Sequence, residues 1–300
     1  MDGEAVEQVR RFNRTVTQRI GALNDRFMSR DRPLGEARLL WEIGDAGGRT
    51  VRSLRKRLEL DAGYVSRLLR SLEADGMAVV EPDPTDGRVR VARLTDAGLE
   101  ERAVLDRLSD DLARSFLAPL NASQRARLVE AMGVVERLLT AGLVKVEAAD
   151  PASADARYCF DAYFEELDDR FEDGFDPARS ISADAEELTP PNGLLLLARL
   201  HGEPIGCGAL KFHDDQPAEI KRMWVDPSAR GLGLGRRLLA ELEEEARRHD
   251  AATVRLETNR SLTEAIDLYR SAGYEEVDPF NEEPYAHHWF EKRLPGAAPR

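Results

Sequence analysis

The sequence predicts two domains, a largely helical first domain with one β-hairpin and then an α/β domain. Three observations predict this division. The chain has 300 residues, more than a single domain usually contains. Apolar residues recur at helical spacing in the first half, whereas strand-like runs alternate with helical ones in the second. Charge is divided as well, because residues 1–150 are neutral and residues 151–300 carry the whole net charge of −13.

Composition excludes several classes of protein. No apolar stretch approaches the roughly 18 residues that a membrane span needs, and the polar N-terminus is unlike a signal peptide. Two cysteines, Cys159 and Cys207, form neither a disulfide framework nor a metal-ligand spacing. We therefore expect a cytoplasmic protein with no metal and no membrane partner. The acidic second half argues against nucleic-acid binding there, and it suits either cationic amine substrates or solubility alone.

The first half begins with a long predicted helix over residues 6–30. One apolar stripe runs along it, and a stripe of this length needs a partner helix, which we expect a second subunit to supply. Shorter helices are predicted at 36–43, 51–58 and 62–75, the last with Asp61 as its N-cap. The stripe is formed by Val6, Val9, Phe12, Val16, Ile20, Leu23 and Phe27.

The last two of these helices are joined by a short turn, as in a helix-turn-helix. Between residues 49 and 70 there are seven basic side chains and only two acidic ones. Such a basic patch is the expected signature of contact with DNA phosphates. Two predicted strands follow at 78–81 and 89–94, and their connection is dominated by turn residues with arginines at its tip. The second helix of the helix-turn-helix, at 62–75, presents Tyr64, Ser66, Arg67 and Arg70.

Residues 1–145 resemble the MarR family of winged-helix regulators. The resemblance rests on the helix-turn-helix, on Asp86 and Arg88 in the hairpin, and on the Leu-Thr-Asp-Ala-Gly run at 94–98 that leads into a long helix. It implies a homodimer that binds double-stranded DNA and dimerises through helices at 6–30, 99–116 and 128–143. Arg88 would be the wing contact. An alternative is a winged helix kept only for dimerisation. The other implied DNA-contacting residues are Tyr64, Ser66, Arg67 and Arg70.

The second half carries a glycine-rich loop between a strand and a helix. Residues 230–235 read Arg-Gly-Leu-Gly-Leu-Gly, which has the form Arg-x-x-Gly-x-Gly. Backbone N–H groups in such a loop converge on a phosphate at a helix start, and glycine lets the anion approach closely. Predicted strands lie at 143–147, 194–200, 204–212, 219–225, 253–257, 274–277 and 286–293, with helices at 157–171, 234–249 and 262–271.

With Tyr269 about thirty residues after the loop, residues 143–294 resemble the GNAT acetyltransferase superfamily. The resemblance implies an α/β fold with a mixed, mostly antiparallel sheet, a domain boundary at 142/143, and acetyl-CoA as the co-substrate. Tyr269 would protonate the departing thiolate. The backbone of Met223 and Val225 would pair with the pantetheine arm, and Asn259 would lie near the cofactor. The loop residues implied in holding the pyrophosphate are Arg230, Gly231, Gly233, Gly235 and Arg236.

The sequence leaves two carboxylates as candidates for the general base. Glu219 begins the strand before the loop, and Glu257 ends the next strand; either one is equally an anchor for a substrate ammonium or part of an ion pair. We expect direct transfer from acetyl-CoA to an amine, because neither cysteine has an obvious histidine partner. A small amino-acid-like or polyamine-like acceptor is favoured over a protein lysine, and residues 280–285 are predicted to face it. The rival function is a regulator that only senses acetyl-CoA.

Overall fold

The computed structural model describes residues 3–21, 32–44, 47–181, 183–213 and 216–295. The chain packs as two compact units, residues 1–132 and 133–300. This division falls inside a helix, Ala122–Leu143, so the domain boundary expected at 142/143 stays a prediction. Within the described ranges, no helix has the length and apolar character that crossing a bilayer requires.

The first unit combines helices with a small antiparallel sheet. Its strands have the order β1-β3-β2, and the two-residue strand β1 was not predicted. The described part of the long first helix ends at Arg19, and the predicted stripe residues Leu23 and Phe27 lie outside the described residues. The elements are α1 Gly3–Arg19, α2 Leu34–Ile43, β1 Arg49–Thr50, α3 Val51–Leu58, α4 Ala62–Ala74, β2 Ala78–Pro82, β3 Arg90–Leu94, α5 Asp96–Leu117 and α6 Ala122–Leu143.

Local capping explains where α4 begins and which way it faces. The Asp61 carboxylate accepts a hydrogen bond from the Tyr64 N–H at 2.9 Å, as the N-cap prediction requires. Four apolar side chains of α4 are buried in the core of the first unit, which leaves the opposite face of the helix exposed. The buried four are Val65, Leu68, Leu69 and Leu72.

The second unit is built on one seven-stranded sheet in the order β4-β5-β6-β7-β8-β10-β9. Among the strand pairs of the described residues only β7–β8 is parallel, so the sheet is mixed and mostly antiparallel, which confirms the predicted fold class. Its first strand begins two residues later than predicted. The elements are β4 Lys145–Ala149, α7 Ala154–Arg170, β5 Gly193–Leu200, β6 Glu203–Lys211, β7 Ala218–Val225, α8 Leu234–Arg248, β8 Thr253–Thr258, α9 Thr263–Ser271, β9 Glu275–Val277 and β10 His288–Arg293.

The parallel pair opens after two residues. Strands β7 and β8 are paired only at Ala218–Val254 and Glu219–Arg255. The pairing of β6 with β7 shifts register between Cys207 and Ala209, and opposite this shift Arg222 has φ 52°, in the left-handed region. The later part of β7 therefore leaves β8, and a cleft opens between the two strands.

Candidate active site and DNA-contacting surface

Two adjoining cavities occupy the cleft that β7 opens. The first, of about 560 Å³, lies against the start of α8 and is named the glycine-loop cavity. The second, of about 110 Å³, reaches the loop before β10 and is named the inner cavity. The two cavities share part of their lining and therefore lie side by side. The shared lining residues are Tyr163, Leu167, Met223, Leu262, Ala265 and Tyr269.

The glycine-loop cavity borders the N-terminus of α8, which has no side-chain cap. Gly233 is the N-cap of α8 with φ 74°, and no side chain caps the first turn. Gly231 has φ 81°, so both glycines hold a backbone conformation that costs other residues energy. A Cβ at Gly233 would meet no atom within 4 Å, so it would project into open space. Free N–H groups and the helix dipole make this end a site for an anion such as a pyrophosphate.

The two arginines of the loop have protein partners. Arg230 donates from Nη2 to Glu166 Oε2 at 2.5 Å and from Nε to the Val225 carbonyl at 3.2 Å. Arg236 donates to Ser271 Oγ at 2.8 Å. Both residues line the glycine-loop cavity, as do Met223 and Val225. A pantetheine arm that pairs with Val225 would share its carbonyl with Arg230.

Tyr269 lies on α9 at the border of the two cavities. Its side chain is buried, and burial followed by the nearby Glu257 carboxylate raises the pKa of its hydroxyl above the ordinary value. The hydroxyl therefore keeps its proton at neutral pH and is available as a donor. Tyr163 of α7 lies at the same border, and burial, Tyr269 and Glu257 raise its pKa too. Sequence reasoning missed Tyr163, because nothing in its helix distinguishes it from a packing residue.

The two candidate bases have different surroundings. Glu219 is 6% exposed, lines neither cavity, and accepts from Arg255 Nη2 at 2.7 Å and Nε at 3.0 Å. Burial raises the pKa of Glu219, but Lys221 and Arg255 outweigh burial and leave the pKa below its ordinary value. Glu219 is thus an ion-paired carboxylate beside the cleft, and the structure does not bring it to the cavity wall.

Glu257 lies in the inner cavity wall. Its Oε1 accepts a hydrogen bond from Lys221 Nζ, whereas its buried Oε2 has no hydrogen-bond partner among the described residues. Burial lowers the pKa of the Lys221 ammonium, but Glu257 and Glu219 outweigh it, so the pKa is raised and the ammonium persists. One oxygen of Glu257 is therefore fixed by a cation, whereas the other has an unused capacity to accept a hydrogen bond.

Asn259 shapes the inner cavity and lies outside the lining of the glycine-loop cavity. Its Nδ2 donates to the Tyr285 carbonyl at 2.7 Å, and its Oδ1 accepts from the Ser261 N–H at 2.9 Å. Both ends of the amide thus join the turn after β8 to the loop before β10. The expectation that Asn259 lies near the cofactor therefore stays a prediction.

An aromatic wall completes the inner cavity. It consists of Phe164, Phe171, Phe175 and Tyr285, from α7, the loop after it and the loop before β10. Sequence reasoning placed residues 280–285 near the acceptor, and Glu283 and Tyr285 from this stretch do line the cavity. It missed Phe171 and Phe175, because loop residues have no periodicity that reveals the direction of their side chains. Two phenylalanines four residues apart in an acidic loop were the one available signal.

The predicted DNA-contacting residues are exposed in the first unit. Tyr64, Ser66, Arg67 and Arg70 all lie on the outward face of α4, and the Arg67 guanidinium lies 5.5 Å from the centre of the Tyr64 ring. Arg88 is exposed between β2 and β3, where the Asp86 carboxylate accepts from its N–H at 3.0 Å. The wing arginine is therefore presented by a structured turn.

Comparisons with known proteins match each unit separately. A family model described as the acetyltransferase (GNAT) family matches residues 160–274, and one described as the MarR family matches residues 31–89. A protein of Azospirillum brasilense called IAA acetyltransferase is 38% identical over 122 residues, which cover 40% of this chain and 78% of that protein. The chain belongs to the GNAT acetyltransferase family. It is thus an acyltransferase, and residues 31–89, ahead of the GNAT fold, match the MarR family model.

Three further matches concern the separate units. An uncharacterised HTH-type transcriptional regulator of Bacillus subtilis, YdgJ, is 30% identical over 79 residues, which cover 26% of this chain and 48% of that protein. The crystal structure of a putative acyl-CoA N-acyltransferase from Klebsiella pneumoniae is 31% identical and covers 51% of this chain and 98% of that one, with a TM-score of 0.39. A neighbour from Bacillus anthracis, 24% identical over 36% of this chain and 66% of its own with a TM-score of 0.33, is a putative streptothricin acetyltransferase in complex with acetyl coenzyme A.

Proposed function

We propose that this chain is a cytoplasmic, DNA-binding transcriptional regulator that also transfers an acetyl group from acetyl-CoA to a small amine. The observation that carries the transferase part is the border between the two cavities. There, Tyr269 lines both the cavity at the uncapped start of α8 and the cavity lined by Glu257, whose buried Oε2 has no partner among the described residues. A thioester held on one side and an amine held on the other would meet beside a protonated phenol.

Acetyl-CoA would supply the acetyl group as a thioester. The residues present suit it, because the N–H groups at 234–236 have no side-chain cap and open into the larger cavity. We assign the pyrophosphate to the backbone of Gly231, Gly233, Gly235 and Arg236. The pantetheine arm would follow the edge that β7 leaves free beyond Glu219, where Met223 and Val225 line the cavity.

Glu257 and Tyr269 divide the proton chemistry. The acceptor arrives as an ammonium, and Glu257 Oε2 would take the proton that frees the nitrogen lone pair. As the C–N bond forms and the C–S bond breaks, Tyr269 would donate its proton to the sulfur. The second proton lost by the nitrogen restores the phenol, and Glu257 releases the first proton to solvent, so the site ends the cycle as it began. Glu219 then has a structural role, since Arg255 and Lys221 already neutralise it.

The DNA-binding part rests on exposure and charge. The outward face of α4 presents Arg67 and Arg70, and Arg88 is exposed on the adjoining hairpin. We propose that α4 contacts the major groove of double-stranded DNA and that Arg88 contacts the backbone or the minor groove. Exposed apolar side chains on α1 and α6 support a homodimer in which they are covered. They include Val6, Val9, Phe12, Val129, Met132, Leu138 and Leu139.

A thiol-release assay tests the transferase part. The full chain is incubated with acetyl-CoA and with single small amines, polyamines or lysine peptides, and free CoA is measured. Thiol release that depends on a small amine supports the proposal, whereas release only with peptides would favour a protein-lysine acetyltransferase. Binding of acetyl-CoA without release for any acceptor would favour a regulator that senses acetyl-CoA.

A further inference from the structure

We propose that the acceptor is a primary amine carried on an aromatic body, with its ring against the aromatic wall and its nitrogen at Glu257. This inference rests on the proposed transferase function and specifies its acceptor class. It departs from the polyamine-like acceptor that the acidic charge of the second half favoured.

The aromatic wall is a concave apolar surface, and no side chain of the described residues fills the inner cavity against it. The ring centres of Phe175 and Tyr285 are 4.9 Å apart, those of Phe164 and Phe175 are 5.6 Å apart, and those of Phe171 and Tyr285 are 5.8 Å apart. All four side chains are half-buried and line the inner cavity. Aromatic rings pack on one another at such distances, so a flat aromatic ligand would add one more ring to the set.

Hydrogen bonds hold this wall in place before a ligand arrives. The Asp176 N–H donates to the Tyr285 hydroxyl at 3.0 Å, and the Phe175 N–H donates to Asp168 Oδ1 at 2.8 Å. Buried Glu283 accepts from Ser180 Oγ at 2.9 Å and from the Ile181 N–H at 2.6 Å, which ties the two loops together. A preformed surface binds with less loss of side-chain entropy than one that must be ordered.

The amine end is defined by Glu257. Its side chain is 9% exposed, Lys221 occupies its Oε1, and its Oε2 is a buried acceptor with no partner among the described residues. Leaving such an oxygen unpaired is costly, and an ammonium N–H would satisfy it. The same oxygen is the proposed proton acceptor, so binding there also positions the nitrogen for attack.

The inner cavity wall carries two cations as well as the carboxylates of Glu257 and Glu283. The Arg222 guanidinium lies 5.2 Å from the centre of the Phe164 ring and lines the cavity together with Lys221. A polyamine whose first nitrogen is at Glu257 would bring its second ammonium towards these cations, and the oxygens of Glu283 already accept from Ser180, Ile181 and Tyr285. A neutral aromatic ring needs no such second anion.

The test compares three amines with the full chain, namely 2-phenylethylamine, n-butylamine and spermidine. Thiol release at saturating acetyl-CoA gives kcat/KM for each. We expect 2-phenylethylamine to exceed n-butylamine by about tenfold, since contacts among aromatic rings add to the burial of apolar area. Phe175→Ala should reduce this ratio to near one. Phe175→Leu keeps an apolar side chain of similar size but removes the ring. It should also lower this ratio, and it controls for a folding defect in Phe175→Ala.

Phe212→Ala is the matched control, because Phe212 is half-buried in the same unit and lines neither cavity. It should keep the wild-type ratio. An equal or higher kcat/KM for n-butylamine or spermidine would overturn this inference while leaving the transferase function standing, as would a ratio unchanged in both Phe175 variants. Failure of every amine to release thiol would overturn the proposed transferase function and this inference with it.

Discussion

At the scale of single residues, two carboxylates on neighbouring strands differ in the ion pairs and hydrogen bonds that they make. Glu219 is ion-paired with Arg255 and Lys221, whereas Glu257 accepts from Lys221 with one oxygen and has no partner at the other among the described residues. Lys221 therefore lies between a carboxylate with a proposed structural role and the proposed base. Environments that differ in this way are how a site assigns different roles to chemically identical groups.

The first prediction concerns stability and pH. The folded-state pKa of Glu219 is lowered, so its ion pairs stabilise the fold above the ordinary value of 4.5 and lose that effect as pH falls below it. Glu219→Gln should lower the free energy of unfolding at pH 7 by about 3 kcal/mol, because it leaves buried cations under-neutralised. Its unfolding free energy should also change less between pH 7 and pH 4.

Urea denaturation followed by tryptophan fluorescence measures both effects. Glu276→Gln is the control, because Glu276 is also ion-paired, to Arg270, but its side chain is 44% exposed. Exposed ion pairs contribute little, so this variant should remain close to wild type. A Glu219→Gln protein as stable as the control, with an unchanged pH dependence, would contradict the structural role of Glu219.

At the scale of elements, the start of α8 is the feature on which the proposed binding of acetyl-CoA depends. Gly233→Ala would place a Cβ at φ 74° and in the open space of the glycine-loop cavity. The left-handed conformation costs a non-glycine residue about 1 kcal/mol. We expect KM for acetyl-CoA to rise roughly tenfold, which corresponds to about 1.4 kcal/mol of binding free energy.

Gly142→Ala makes the same chemical change in α6, where the added Cβ also meets nothing within 4 Å but the backbone is helical. Alanine suits a helix better than glycine does, so this control should be neutral or slightly stabilising. Steady-state kinetics with varied acetyl-CoA distinguish the two. Equal KM values in both variants would exclude the start of α8 from cofactor binding.

A second prediction at the scale of elements concerns the binding of DNA by α4. Arg67→Ala should weaken binding to double-stranded DNA and reduce the slope of log K against log salt by about 0.9, the value for one lost phosphate contact. Arg293→Ala, at the exposed end of β10, removes the same charge from the second unit and should leave both quantities unchanged. Fluorescence anisotropy with a labelled duplex at several salt concentrations measures both. Identical salt slopes for the two variants would argue against contact through α4.

Most elements could be predicted from the sequence, because their apolar periodicity and caps are local. Asp61, for example, caps α4 as its position before an apolar run indicates. The strand β1 was missed because two residues carry no periodicity, and only β3 pairs with it. The pairing of Lys221 with Glu257 depends on a parallel register between β7 and β8, and the aromatic wall depends on two loops meeting. Such long-range placement leaves no trace in local sequence.

At the scale of the whole molecule, charge and apolar surface are distributed by unit. The acidic excess lies in residues 151–300, whereas the basic stretch at 49–70 lies in the neutral half. Helix α1 exposes Val9 at 58% and Phe12 at 43%, and α6, in which the two units meet along the chain, exposes Leu138 and Leu139 at 69% and 65%. Apolar stripes this exposed are typical of surfaces that another chain covers.

Dimerisation is therefore predicted to fail when a charge enters the stripe. Val9→Glu should raise the dimer dissociation constant at least about tenfold, because a buried carboxylate without a partner is costly. Gln8→Glu adds the same charge to α1 beside the stripe and should leave the dimer intact. Sedimentation velocity over a range of concentrations measures both. A wild-type chain that stays monomeric at every concentration would contradict the proposed homodimer.

The most direct test of the central claim measures thiol release by the wild-type chain and by Tyr269→Phe with one accepted amine. Tyr269 is predicted to donate a proton to the departing sulfur, so kcat should fall about 100-fold while KM for acetyl-CoA stays unchanged. Tyr158→Phe removes a hydroxyl from a 50% exposed tyrosine on α7 and should behave as wild type. A Tyr269→Phe enzyme with wild-type kcat would contradict the assignment of the acid. A wild-type chain that binds acetyl-CoA and releases no thiol with any amine would contradict the transferase itself.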